Sequence, residues 1–217
     1  MKNRTNLRLN LNSKILDVGS GAGQLLHDLK ILGFSNLLGI DLFIEQDLNY
    51  QNGVRIIKGD INALNQQFDF IMLHHSFEHM PDPLPTLKKL HSLLKPNRYL
   101  LIRIPIADSY AWRKYGVNWL QLDAPRHLYV HTTKSMTRLA EESGFKVADV
   151  IYDSSSFGLM GSEQYLKDIP LEDETSYNVN FGKSIFTHEQ VEYFDSKAAE
   201  LNEKNDGDQA CFYFYKA

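Results

Sequence analysis

The stretch KILDVGSGAG, from Lys14 to Gly23, constrains the fold of this chain more than any other. Apolar Ile15, Leu16 and Val18 surround Asp17, glycines alternate at positions 19, 21 and 23, and helix-favouring residues run from Gln24 to Leu29. That order spells a buried strand, a glycine turn and a helix start. Glycine tolerates positive φ and carries no Cβ, so a ligand can lie against bare backbone. Amides at the helix start lack partners within the helix and face such a ligand as donors. The segment predicts a cradle for a nucleotide-like cofactor.

Spacing narrows the ligand. A dinucleotide loop reads G-x-G-x-x-G, whereas here Gly19 and Gly21 are followed by Gly23, with Gln24 next. A phosphate-cradling loop needs a Gly-Lys-Ser/Thr ending, which is absent. Asp17 stands two residues before the first glycine. Its carboxylate would repel a pyrophosphate and suit a cationic or amine-bearing ligand.

Strand-like and helix-like segments alternate along the chain. The pattern predicts strands at Lys14–Val18, Leu37–Ile40, Val54–Lys58, Phe68–Leu73, Tyr99–Ile104, Phe145–Tyr152 and Ala210–Tyr215. It predicts helices at Ala22–Leu32, Leu84–Leu94 (closed by Lys95-Pro96), Thr132–Ser143 and near His188–Asn202. Apolar strands spaced by helices make a mostly parallel, doubly wound sheet with helices on both faces. Two long connections interrupt the alternation, Pro105–His131 and Ser154 to about Phe186, and connections of that length inside a compact domain are usually functional lids.

The 217 residues suffice for one α/β domain with such elaborations. A net charge of −4 with no basic block gives neither nucleic acid nor an anionic membrane a surface to bind. Cys211, the sole cysteine, excludes an intrachain disulfide and a cysteine-based zinc site. No leader-like apolar stretch and no run of about 18 apolar residues occurs, which fits a cytoplasmic protein without membrane insertion.

Ligands of open α/β sheets bind at the carboxyl ends of the strands, so the residues standing there matter. After the glycine turn come Asp41 with Leu42 and Phe43, then Asp60-Ile61, then His74 and His75. Asp41 is placed to accept from both hydroxyls of a ribose, Leu42 and Phe43 to flank a base, and Asp60 with the Ile61 backbone to meet that base's edge. Each Asp taken singly reads equally well as a turn or cap residue. In order, D-x-G-x-G-x-G and these strand ends resemble the class I S-adenosylmethionine-dependent methyltransferases, in particular the bacterial type 11 and type 23 domains. The resemblance implies a seven-stranded Rossmann-like fold whose last strand is antiparallel. It implies S-adenosylmethionine as cofactor, with its methionine part on Asp17, Gly19, Ser20, Gly21 and Gly23, and the rest on Asp41, Leu42, Asp60, Ile61 and His74.

In HHSFEHMPDP, His75 and His79 stand four apart beside Glu78. On a helix that spacing puts two imidazoles on one face, but the order is not H-E-x-x-H and no third ligand is evident, so no metal is expected. The stretch resembles the Glu-His-x-x-Asp-Pro segment of small-molecule methyltransferases. Some quinone-ring O-methyltransferases hold a divalent ion near it, with a Glu where this chain has a His. The segment WLQLDAPRHLYVHT, Trp119–Thr132, resembles the Asp-x-Pro-x-His stretch of the type 11 and 23 group. His127, an imidazole in a loop after the fifth strand, is a candidate general base for a hydroxyl acceptor, with His75 as second candidate. Arg126 offers a bidentate clamp for an anionic group, and Trp112, Trp119 and Tyr129 offer ring surfaces to a substrate. The alternative is that Asp123, Arg126 and His127 tie the loop together by hydrogen bonds. His131 reads as an N-terminal helix residue near Thr132, a candidate cap.

The late segments GSEQYLKDIPL and GDQACFYFYK also resemble this group, whose members stand near polysaccharide-assembly enzymes, which implies a sugar or sugar-linked hydroxyl as acceptor. A phenol or quinone precursor is the alternative, and a non-catalytic cofactor-binding module is the alternative of another class. A single domain over 1–217 is expected, with 105–131 and 154–186 forming a lid. Thirteen residues precede the first strand, so whether the pocket is sealed by the insertions, by a partner subunit, as in a homodimer, or not at all stays open, as does an upstream domain.

Overall fold

A computed structural model describes residues 7–217. The chain divides into two compact units. The first is built from the chain up to Ile104 with Lys134–Val150 and Cys211–Ala217, and the second from Pro105–Thr133 and Ile151–Ala210.

Eight strands form one sheet: β1 (Lys14–Val18), β2 (Asn36–Asp41), β3 (Leu48–Asn49), β4 (Arg55–Lys58), β5 (Phe68–His74), β6 (Leu94–Pro105), β7 (Lys146–Tyr152) and β8 (Gln209–Lys216). The helices are α1 (Gln24–Ile31), α2 (Pro83–Leu93), α3 (Tyr110–Tyr115), α4 (Thr133–Glu142), α5 (Ser156–Tyr165) and α6 (His188–Glu203). The strand order is β3-β4-β2-β1-β5-β6-β8-β7, parallel from β4 through β6. β8 enters between β6 and β7, and the C-terminal strands are antiparallel. The doubly wound α/β sheet expected from the sequence is therefore present. β1 has its successor β2 on one side and β5 on the other, so the strand order reverses there. That reversal opens a crevice at the carboxyl end of β1, where the glycine turn begins.

β1 and β5 are apolar almost throughout because both sheet faces are covered. Ile15, Phe70, Met72 and Leu101 pack on one face with Leu26 of α1 and with Leu37, Val54 and Ile56. The eighth strand, β3, was not expected. It is a two-residue antiparallel edge, pairing Leu48 with Ile56 and Asn49 with Arg55, too short to show alternation in sequence. Lys95-Pro96 does more than close α2, because β6 begins at Leu94. Asp69 draws this stretch alongside β5, with Lys95 Nζ at 2.9 Å and Arg98 Nη2 at 3.2 Å from its Oδ1. A register irregularity between Phe68 and Phe70 takes up the proline, as bulges do.

The second unit is helical. Tyr115 and Ala111 of α3, Leu159 and Met160 of α5, and Phe194, Ala198 and Leu201 of α6 enclose Trp119. The Trp119 indole N–H donates to Asp208 Oδ2 at 2.9 Å, and the Asp208 carbonyl accepts from Ile106 N. Helix α5 lies inside the stretch expected as a loop. Six of its ten residues are buried, Gly158 to Ser162 and Gln164, so it shows no polar face and no helical period. A capping box of Thr187 and Gln190 starts α6. His131 lies outside α4, which begins at Thr133. It pairs with Ile106 in an isolated bridge, while the Asp108 carboxylate accepts from Thr133 N at the start of α4. Among the described residues no helix is long and apolar enough to cross a membrane.

Asp208→Ala would strand the buried Trp119 N–H. The expected cost is about 2 kcal/mol, read as a lower urea midpoint at unchanged slope, and an unchanged midpoint would show that the bond contributes nothing net.

Candidate active site

The first unit gathers the expected cofactor residues at the carboxyl ends of β1, β2, β4 and β5. Gly19 turns the chain at φ +74, and a Cβ there would lie 2.4 Å from the Ser76 Cβ. Only glycine satisfies both demands. Ser76 holds the other side of the contact, its Oγ donating to the Val18 carbonyl at 2.7 Å. Gly23 caps α1 in the left-handed region, and a Cβ there would meet Ile56 Cδ1 at 2.5 Å. Asp41 organises the turn from β2. Its Oδ2 accepts from Gly21 N and its Oδ1 from Phe43 N, both at 2.8 Å. Each carboxylate oxygen has a second lone pair for a ligand hydroxyl.

Asp17 is 4 % exposed. No side chain or backbone amide among the described residues hydrogen-bonds its carboxyl. Burial, reinforced by the nearby Asp41 charge, pushes its pKa up to about 7. The Ser20 hydroxyl beside it is buried and without a partner among the described residues. An unpaired carboxyl and an unpaired hydroxyl beside a glycine turn suit a ligand carrying both cationic and hydrogen-bonding groups. Asp60 caps a 3-10 turn over Ile61–Ala63, its Oδ1 accepting from Asn62 N at 2.7 Å, and the Ile61 side chain is buried. Leu42 and Phe43 are exposed past the end of β2, available to a flat ring.

His74 ends β5 opposite Arg103 of β6. His75 follows at φ +50, a left-handed backbone held by its N–H to the Arg103 carbonyl at 3.0 Å. Its Nε2 lies 3.2 Å from Arg103 Nη1 and its Nδ1 3.5 Å from the buried Glu78 carboxylate. A guanidinium only donates, so Nε2 accepts and the ring proton on Nδ1 points to Glu78.

The second unit holds the remaining expected residues. His127 Nδ1 donates to the Gln121 carbonyl at 2.9 Å, which leaves Nε2 as the basic nitrogen, 3.8 Å from Asp123 Oδ2. Arg126 grips Asp123 through Nε at 3.1 Å and Nη2 at 2.7 Å, and the Asp123 carbonyl accepts from the backbone of both Arg126 and His127. These bonds are the loop ties that the sequence offered as the alternative role. Trp119, expected to face a substrate, is 1 % exposed and belongs to the core of this unit, because its ring fills the space between α3, α5 and α6. Trp112 meets it edge-on at 6.1 Å and is partly exposed, as is Tyr129, which stacks on His131 at 5.7 Å.

Residues 2–150 match the family model described as a methyltransferase domain. The chain belongs to that methyltransferase family. It is similar to the ubiquinone biosynthesis O-methyltransferases of Pseudomonas syringae and Pseudomonas aeruginosa, 28 % identical to each over 166 and 159 residues. Those matches cover 66 % and 64 % of this chain and 69 % and 66 % of the relatives. Its fold is shared with a cyclopropane synthase of Mycobacterium tuberculosis (TM-score 0.60, 16 % identity, 97 % of this chain and 80 % of that one). It is likewise shared with an S-adenosylmethionine-dependent methyltransferase of Archaeoglobus fulgidus (TM-score 0.56, 18 % identity, 94 % and 86 %). The methyltransferase uses S-adenosylmethionine, and the unpaired Asp17 and Ser20 fit its cationic methionine part.

Ser76 was not anticipated. It lies 58 residues from the Val18 carbonyl it holds, and no local pattern links the two.

A carboxyl whose pKa rises from 3.8 unfolded to about 7 folded favours folding at acid pH and loses that contribution as pH climbs through 7. The cofactor-free protein should therefore melt lower at pH 8 than at pH 5 through this group, and Asp17→Asn should flatten the difference. Cofactor affinity of the parent should rise over the same interval as Asp17 ionises. A pH-independent affinity would remove Asp17 from the site.

Proposed function

We propose that this methyltransferase O-methylates a small-molecule hydroxyl, and that the acceptor is a phenol or quinone precursor. The observation that carries the hydroxyl acceptor is the His127 Nδ1–H bond to the Gln121 carbonyl, which makes Nε2 the nitrogen of that ring able to take a proton. The phenolic class draws support from the activity named for the relatives. The sugar-linked hydroxyl rests on the resemblance of the two late segments alone.

Asp17 with Gly19, Ser20, Gly21 and Gly23 holds the methionine part, Asp41 the ribose, and Asp60, Ile61 and Leu42 the adenine, with His74 at the adjoining strand end. When bound, S-adenosylmethionine supplies an electrophilic methyl group. The chain supplies alignment, exclusion of water and a place for the hydroxyl proton on His127 Nε2. His75 keeps its Nε2 on Arg103 and its Nδ1 toward Glu78, and the base role is assigned to His127. Tyr129 and Trp112 offer ring surface to the acceptor. Arg126 steadies the His127 loop through Asp123.

His127→Ala should lower kcat about 10²–10⁴-fold on the accepted substrate, with cofactor affinity unchanged. Full turnover by that variant ends the base assignment. Incubating the purified protein with labelled cofactor and a panel of catechols, quinone precursors and sugar nucleotides should label the phenols. Label on sugar nucleotides alone overturns the acceptor class.

A further inference from the structure

Within the second unit a cleft of about 160 Å³ lies between α3, α5 and α6, and the proposed reaction uses none of its residues. Its walls are aromatic. Phe186 and Phe194 meet edge to face at 5.8 Å and 83°, and Tyr193 meets Phe194 at 5.3 Å and 71°. Its polar lining is Lys114, Glu163, Lys167 and Gln190.

These polar groups are not equivalent. Glu163 Oε1 already accepts from Lys114 Nζ at 2.6 Å and from the Tyr115 hydroxyl at 2.8 Å, so Lys114 balances its charge. Lys167 acts on Glu163 through space and forms no ion pair among the described residues. The cleft therefore carries one surplus positive charge. Gln190 uses its Oε1 to accept from Thr187 N in the α6 capping box, which leaves its side-chain NH₂ to donate. Aromatic walls, one uncompensated ammonium and one amide donor call for a flat ring bearing a single anionic acceptor. The volume admits one six-membered ring.

We propose that this cleft binds a single-ring aromatic carboxylate, its ring against Phe186, Phe194 and Tyr193 and its carboxylate on Lys167 and Gln190. The site stands whichever acceptor the enzyme methylates.

Benzoate and its neutral counterpart benzamide are the probes, titrated into the full chain with backbone amide resonances as readout. Benzoate should give saturable shifts confined to residues around 163–167 and 185–194, with benzamide about fivefold weaker or more. Lys167→Met alters an exposed side chain and should weaken benzoate about fivefold while leaving benzamide and S-adenosylmethionine binding unchanged. Tyr193→Ala, also exposed, should weaken both probes. Equal binding of benzoate and benzamide, no response to Lys167→Met, or no saturable shift at these residues each overturns the proposal.

Discussion

The carboxyl end of the sheet is built around one unfavourable burial. At the end of β1 the Asp17 carboxyl is out of water, faces the charge of Asp41 and has no hydrogen-bond partner among the described residues. An apolar residue there would fold better. A cationic ligand would recover that cost, because the same burial that penalises a lone carboxylate strengthens its attraction to a positive charge. The surrounding backbone keeps that carboxyl in place. Gly19 N donates to the Ile40 carbonyl at 2.8 Å, Asp41 gathers two amides, and Ser76 closes on Val18 from the turn after β5. Three strands thus converge on one turn, and none of their contacts supplies the missing partner.

The second unit solves a different problem. Its aromatic residues look in sequence like a substrate-facing surface, yet Trp119 is the centre of a small helical core, tied through its indole N–H to Asp208. A large ring in a small unit contributes more by filling that core than by meeting solvent. The exposed rings of this unit are other side chains, among them Trp112, Tyr129 and Tyr193.

Legibility followed the range of the forces involved. The glycine turn, Asp17, and the strand ends at Asp41 and Asp60 were readable because a strand-turn-helix is encoded within about ten residues. The core strands were readable because burial on both faces leaves long apolar runs. β3 escaped because two edge residues carry no period, and α5 because a helix buried on nearly every side has no polar stripe. The extension of β6 across Pro96 escaped because Asp69, far back in the chain, draws Lys95 and Arg98 to it. Ser76 and Asp208 escaped for the same reason, since their partners Val18 and Trp119 lie 58 and 89 residues away.

By itself the amino-acid order determined the alternating α/β architecture, the glycine turn and the methyltransferase family, because backbone sterics and local hydrophobic period act over a few residues. Tertiary structure alone decided which polar groups are left without partners, Asp17 and Ser20, and which are already engaged, Arg126 on Asp123 and His75 on Arg103. It also decided that Trp119 is core and that His127 presents Nε2. Hydrogen-bond partners and desolvation belong to the folded neighbourhood, which is assembled from segments distant in sequence, and no local pattern states them.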